Sequence, residues 1–524
     1  MLANLLAAAG VQVIVLERNR GLLGRPRAIA YDAETLRLFA QVGLLDEISP
    51  GLVHTPHVRH LNARARLLMA VDLPARGPYG HSALGTFHQP DFEKALLKGL
   101  ARFANARVLF EHRLDVLEQD ACRVALAIAT PSGRRVLRAQ YVVGCDGGTS
   151  DVRDHIGARL VGSTYAEQWL VVDAIMRGHD VRQITFDCDP RRPRVEMPAV
   201  GDRVRWEFMR LRRETEEELN SDVKIRSLVQ ENTRHRSFQI ERKAVYTFHA
   251  RVANRWRRDR VFLAGDAAHL MPPFAGQGMN SGMKDAVNLA WKLAAVLKGQ
   301  AQEAILETYE VERAPVVRQM VEVSRRLGAV IMPTSPIVAA ARDLLFAGLN
   351  LSGRFRAFVG RGGFLPPPSV RQSALTARGR DPLIGQMMPQ PDVGSADRSA
   401  LLDAHLTCHQ WLALGIGVDP VSLVSPHDLQ ILDSLGARFL CLNGSARDAR
   451  TSANPYADPE FDAWAKHHRV RAVLVRPDRF IAARLDPSAD LSVLTSFSVA
   501  PAPRPAFAAE LSNTQDCRPC PTFS

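Results

Sequence analysis

The chain of 524 residues is 46% hydrophobic and 23% charged, which gives enough apolar content for two or three globular domains and excludes a disordered or fibrous protein. Its formal charge of +12 would suit a nucleic-acid binder, but the excess is Arg scattered through the chain and interleaved with acids, as in RRETEEELNSD, so no nucleic acid is expected as a partner. Seven widely spaced cysteines without paired metal-ligand spacing exclude a disulfide scaffold and a metal site and fit a reducing cytoplasm; the one CxxC, Cys517 and Cys520, lies in a Pro-rich end read as loose.

The chain opens MLANLLAAAGVQVIVLERN. Apolar residues at helical spacing from Leu2 to Ala9 predict a helix, Gly10 its stop, Val11 to Leu16 a buried strand, and Glu17 an acid at the strand's end. That order is the second half of a nucleotide-binding βαβ unit. With Asn4 inside the apolar run and no basic leader, the opening is not expected to be a signal peptide. RPRAIAYDAETLRLFAQVGLLDEI supplies a basic loop and an amphipathic helix with Leu36, Phe39 and Leu44 on one side. A second helix follows in HQPDFEKALLKGLARF, with Asp91 as its expected cap.

RVLFEHRLDVLEQD, CRVALAIAT, the turn PSGRR and VLRAQYVVGCDGG predict a β-meander that returns to a buried strand. Residues 166–260, with QWLVVDAIM, VRWEFMRL and KAVYTFHARVA, predict a separate antiparallel sheet. RVFLAGDAAHL is one more buried strand, and NSGMKDAVNLAWKLAAVLKG a long helix ending at Gly299. Residues 303–360 read as helical, although AVIMPTSPIVAAARDLLF is broken by Pro and Arg and is no membrane span. Beyond GGFLPPPSVRQS a smaller α/β domain runs from LIGQMMPQPDV to RPDRFIAA, and the last two dozen residues are expected to be loose.

The most specific text is LAGDAAHLMPPFAGQGMNSGMKDAVNLAWKL. A buried strand ends in Gly265 and Asp266, and a Pro pair and a Gly-rich turn then open a long helix. Helix-start amides are unpaired and carry partial positive charge, Gly276 and Gly278 allow close backbone approach, and Asp266 can accept from ligand hydroxyls. Upstream, VVGCDGGTSDVR ends another strand in an acid and glycines. Alone, such a turn reads as a hairpin or a helix cap.

Together these segments resemble the FAD motifs of the class A, single-component flavoprotein aromatic hydroxylases, the family of para-hydroxybenzoate hydroxylase. The resemblance implies cofactor contacts from Gly265, Asp266, Pro273, Gly276, Gln277, Gly278, Met279 and Asn280, and from Asp146, Gly147, Ser150 and Arg153. It also implies that Glu17 meets the adenosine ribose and that Arg27, with Arg25 second, meets a pyrophosphate or nicotinamide phosphate. Gln89 matches a family glutamine near the flavin, or is a helix-entry residue. The family's first strand and GxGxxG are not in this text, and the expectation is that the true start lies upstream. The amides of that loop would each contribute about 1.5–3 kcal/mol to holding a charged pyrophosphate.

The implied fold is an α/β FAD-binding domain of Rossmann-like, glutathione reductase type, with an inserted antiparallel substrate sheet and a C-terminal thioredoxin-like domain. The implied boundaries are 1–165 and 261–365 for the FAD-binding parts, 166–260 for the substrate sheet, 379–490 for the C-terminal domain and 498–524 for a loose tail. Arg476 and Asp478 are then structural. Within the family the likeness is to members acting on 3-(3-hydroxyphenyl)propionate, carried by RPRAIAYDAETLR, QWLVVD, CDPRRPRV, RRETEEEL, VYTFHARVA and LVRPDRFIAA. The implied reaction uses FAD, NADH or NADPH, and O2 to hydroxylate a phenolic acid ortho to its hydroxyl through a flavin hydroperoxide.

Catalytic contacts are expected from Tyr246 and His249 to the phenol, from Arg205 to a carboxylate, and from Pro273 at the flavin turn, with ordinary sheet positions as the other reading of the first three. The resemblance also implies a homo-oligomer and a small phenolic substrate as partner, and the lack of an uninterrupted apolar span implies no membrane. Two alternatives stay open: a hydroxylase of a bulkier polycyclic or polyketide phenol, and a flavin-free remnant lacking the glycine loop.

Overall fold

The computed structural model describes the chain apart from residues 234–236, 371, 372, 378, 380, 396, 397, 457, 488–490, 498–510 and 514–524. The elements that position the site begin with α1 (Leu2–Ala8), β1 (Val13–Glu17), β2 (Ala30–Asp32), β3 (His57–Asn62) and β4 (Leu67–Asp72). Next come α2 (Gln89–Leu100), β5 (Ala106–Phe110), β6 (Arg113–Gln119), β7 (Val124–Thr130), β8 (Gly133–Ala139) and β9 (Val142–Gly144). The middle of the chain holds β10 (Leu160–Ile175), β11 (Ile184–Cys188), β12 (Arg194–Pro198), β13 (Arg203–Met209) and β14 (Gln239–Ala253). Then follow β15 (Val261–Leu263), β16 (His269–Leu270), α3 (Gly278–Leu297) and α4 (Thr308–Ile331). The C-terminal sheet is built from β17 (Leu412–Ile416), β18 (Arg438–Leu442), β19 (Thr451–Asn454), β20 (Ala472–Val475) and β21 (Ile481–Arg484).

Where apolar period and stop signals agree, the elements form as read. α1 ends before Gly10 at φ 78°, and β1 pairs in parallel with β5. The meander of β6, β7 and β8 is antiparallel, and β9 returns to pair in parallel with β15. The wholly apolar strand β15 is buried on both faces, as its lack of alternation demands. Leu36 and Phe39 are buried in the main core with the inner faces of α1, α2 and α3.

Three expectations are corrected. The middle sheet is not confined to residues 166–260: it has eight strands in the order β16-β14-β10-β13-β12-β11-β3-β4, and the β11–β3 pair is parallel. Strands β3 and β4 come from the first third of the chain, because their apolar faces close the open edge of that sheet. Asp91 does not cap α2: the helix starts at Gln89 with Pro90 in its first turn, and Asp91 pairs with the His88 ring at 2.9 Å. The end of the chain is not loose throughout, since Leu511–Asn513 pairs antiparallel with Arg135–Leu137 of β8; Cys517 and Cys520 lie outside the described residues.

In the C-terminal sheet, of order β19-β18-β17-β20-β21, β18 runs parallel to β17 and β20 antiparallel to it. Buried charge ties it to the rest. Arg476 forks onto Glu312 of α4 at 2.8 and 2.7 Å, and Glu312 also accepts from Lys292 of α3 at 2.8 Å. Arg37 and Arg479 share Asp403, at 2.8 and 3.0 Å. Removing one partner of such a network strands a buried charge, at about 3–5 kcal/mol. Arg476 and Asp478 are structural, as read.

Candidate active site

Because β9 and β15 are parallel neighbours, both release their chains at the same sheet end, where α/β proteins place ligands. The Ala264 amide donates to the Gly144 carbonyl at 3.0 Å, and the Arg153 guanidinium spans the two turns, donating to Ala267 O at 3.2 Å and Gly148 O at 2.9 Å. The two motif turns, bridged by a pair 114 residues apart in sequence, are thereby one structure.

Within it the expected contacts divide. Ser150 caps the helix Asp151–His155, accepting from the Arg153 amide at 3.0 Å, and Asp146 backs it, accepting from Ser150 Oγ and from the Val152 amide at 3.0 Å, while Gly147 sits at φ 84°. Asp266 is different: its carboxylate is accessible and meets no hydrogen-bond partner among the described residues. Surrounding protein pushes its carboxyl up, against the pull of His269 and Arg27. A carboxylate that is reachable yet largely desolvated marks a groove, and its empty acceptor sites suit ligand hydroxyls.

The turn beyond it is tightly built. Pro273 opens a short 3-10 turn, Gly276 takes φ 63°, and a Cβ there would meet Ala30 Cβ at 3.0 Å. Asn280, fully buried, accepts from Thr35 Oγ1 at 2.7 Å and donates to Gly276 O at 2.8 Å, so it locks the turn to the end of β2. Met279 packs against the core, and Gln277 is nearly buried at the start of α3. The first-turn amides of α3, from Gly278 on, stand outside its own ladder and face the groove end of the helix with partial positive charge.

Gln89 positions the basic loop: its Oε1 accepts from the Arg27 and Ala28 amides at 2.8 and 2.7 Å. The Arg25 and Arg27 side chains are exposed. Glu17 spends Oε1 on Asn19, at 2.8 and 2.7 Å.

One face of the large sheet covers these turns. Trp169 and Phe248 meet Phe274 of the 3-10 turn at ring distances of 5.8 Å each. Cross-strand register puts three rows on that face: Tyr246, Trp169 and Met209; Ala244, Val171, Glu207 and Val195; Arg242, Asp173, Arg205 and Met197.

Here the site departs from expectation. Arg205 does not offer a free guanidinium, because Asp173 takes it bidentately at 2.6 and 3.1 Å and Arg27 O accepts its remaining arm at 2.9 Å. Tyr246 and His249 are not brought together: three residues apart on one strand they point to opposite faces, and His249 pairs with Thr164 Oγ1 at 3.0 Å.

Sequence reasoning missed Arg242, which binds Asp173 at 3.1 Å and the Tyr246 hydroxyl, and Asp285. Asp285, fully buried in α3, accepts from the Gly265 amide, from His269 and from Arg313. Burial alone would raise its carboxyl, but His269 and Arg313 hold it below the usual range. An acid at the head of the largely apolar, buried stretch DAVNLAWKL is the available signal for it.

Comparison with known proteins agrees with this geometry. The family described as FAD binding domain matches residues 1–324, and the HcaD C-terminal domain matches 385–499. The 3-(3-hydroxy-phenyl)propionate/3-hydroxycinnamic acid hydroxylase 2 of Burkholderia vietnamiensis (strain G4 / LMG 22486) is 34% identical, over 95% of this chain and 93% of that protein. The corresponding hydroxylase of Escherichia coli (strain K12) is 34% identical over 93% and 90%. Among solved structures, the anhydrotetracycline hydroxylase OxyS of Streptomyces rimosus is 26% identical with a TM-score of 0.71, covering 96% of this chain and 97% of that one. Aklavinone-11 hydroxylase, solved with FAD and aklavinone, shares the fold at 24% identity and a TM-score of 0.75, over 94% and 96%. The chain belongs to the FAD binding domain family and is an FAD-dependent aromatic monooxygenase of class A.

Proposed function

We propose that the chain uses NADH or NADPH and O2 to hydroxylate a phenolic aromatic acid ortho to its hydroxyl, with 3-(3-hydroxyphenyl)propionate as substrate and the 2,3-dihydroxy acid as product. The observation that carries this is the match to hydroxylases of that name over nine-tenths of both chains. The balance is one oxygen atom into the ring and the other into water, with two electrons from the nicotinamide.

The residues present fit the flavin half of FAD. Asp266 offers unpartnered acceptors for the ribityl hydroxyls, and the Gly276–Gly278 backbone and the α3 amides offer donors to the pyrimidine edge. Glu17 and Arg27 would serve the ribose and pyrophosphate. When bound, FAD supplies hydride acceptance and oxygen activation.

The chain's own residues orient and exclude water. The Trp169, Phe248 and Phe274 rings cover the turn, and the Arg242 guanidinium, on Asp173 and the Tyr246 hydroxyl, gives this sheet face a cationic edge suited to a side-chain carboxylate.

The test is FAD-loaded protein assayed for nicotinamide oxidation with and without the phenol, with product identification. Stimulation together with a catechol supports the reading; absence of stimulation contradicts it. The 26% identity with an anhydrotetracycline hydroxylase over 96% of the chain favours a second reading, a polycyclic phenol, which the same assay separates by substrate.

A further inference from the structure

Glu207 stands at the centre of the sheet face that covers the flavin turn. It lies between Val171 and Val195 across the strands, with Ala244 beyond Val171. Its residue is 8% exposed, and its carboxyl meets no hydrogen-bond or ion-pair partner among the described residues. Arg205, two residues away on the same face, is taken by Asp173 and Arg27 O and does not turn to it.

The carboxyl oxygens are not sealed off among the described residues, so they stay open to the space above the sheet, and a carboxyl with so little access and no partner is costly to keep in a folded protein. Desolvation accordingly raises it from the usual carboxylate range, with Arg205 opposing. The row it belongs to is otherwise small and aliphatic. An aromatic row of Tyr246 and Trp169 flanks it on one side and the Arg242–Asp173–Arg205 row on the other. That is a floor for a planar ring, with one polar atom group at its edge. A ligand carboxylate is turned away from Glu207 by like charge and toward the cationic rim, which leaves the ring hydroxyl to approach the carboxyl.

We propose that Glu207 accepts a hydrogen bond from the ring hydroxyl of the bound phenol and so selects hydroxylated rings over bare ones. This rests on the phenol hydroxylase reading and adds to it the residue that reads the hydroxyl.

The test is calorimetric titration of the full FAD-loaded chain with 3-(3-hydroxyphenyl)propionate and with 3-phenylpropionate. Wild type is expected to prefer the phenol by roughly 10- to 100-fold, the range of one hydrogen bond to a charged acceptor. Glu207→Leu is expected to bring the two ligands within about twofold, with 3-phenylpropionate bound no more weakly than by wild type. Glu207→Gln, which keeps the shape and guards against a folding defect in the Leu variant, is expected to lower the preference by at least about threefold. An unchanged preference in both variants overturns the role of Glu207 and leaves the hydroxylase reading standing. Failure of wild type to bind either ligand overturns both.

Discussion

Asp285 accepts a hydrogen bond from the Gly265 amide at 3.1 Å, so the turn that presents Asp266 is held by a carboxylate on α3, 20 residues further on. The same carboxylate takes His269 Nε2 and Arg313 Nε, both at 2.8 Å. Asp285→Ala would leave Arg313 buried without its partner and release the turn. Equilibrium urea unfolding is expected to show a loss of about 3–5 kcal/mol, and FAD binding should weaken in the fraction that stays folded. A variant as stable as wild type would show that the turn is held elsewhere.

Asp173 carries two arginines, the buried Arg205 and the half-buried Arg242, at 2.6 and 3.1 Å. Asp173→Asn removes the charge that both of them share, and Arg205 also fixes the basic loop through Arg27 O. The expected loss is again about 3–5 kcal/mol of stability, with a raised KM for the nicotinamide as the loop loosens. Thermal melts and steady-state kinetics on the same preparation read both effects.

Tyr246 lies on the sheet face that meets the glycine turn and His249 on the other. Tyr246→Phe should therefore raise the KM for the phenol, whereas His249→Ala should change kcat and KM by less than about twofold. A strong kinetic defect in the His249 variant would mean that the strand turns His249 to the same face as Tyr246.

His60 of β3 is buried against Phe186 at 4.6 Å, and neither ring nitrogen has a hydrogen-bond partner among the described residues. Burial lowers its pKa to about 3 from the usual 6.5. The folded state thus keeps the ring neutral where the unfolded chain takes up a proton. Stability should be indifferent to this group above pH 6.5 and fall as pH drops from about 6.5 toward 3, by up to about 1.4 kcal/mol per pH unit. Urea midpoints between pH 7 and 4.5 should show that slope in wild type and a shallower one in His60→Phe.

What could be read from residues alone was local. The GDAAH strand, its glycine turn and the 20-residue helix after it share one stretch of text, where apolar run, Gly and acid follow each other without interruption. The partnership of that stretch with the CDGG turn needed a family resemblance as well as the text, because Arg153 and Ala267 are 114 residues apart. Cross-strand facts were out of reach. The claim of Asp173 on Arg205 depends on register between β10 and β13, and nothing in RVRWEFM says that its arginine is already engaged. Recruitment of β3 and β4 to a sheet built mostly 100 residues later is equally non-local. His249 and Tyr246 are the exception, since strand alternation alone puts residues three apart on opposite faces.

Asp266 and the glycine turn are proposed to hold the flavin. Titration of apoprotein with FAD, followed by the change in flavin absorbance, tests this most directly when wild type is set beside Asp266→Ala. Loss of an acceptor for charge-assisted hydrogen bonds should weaken binding by roughly 10- to 100-fold while the urea midpoint stays near that of wild type. Equal FAD affinity in the two proteins would contradict the placement of the cofactor at this turn.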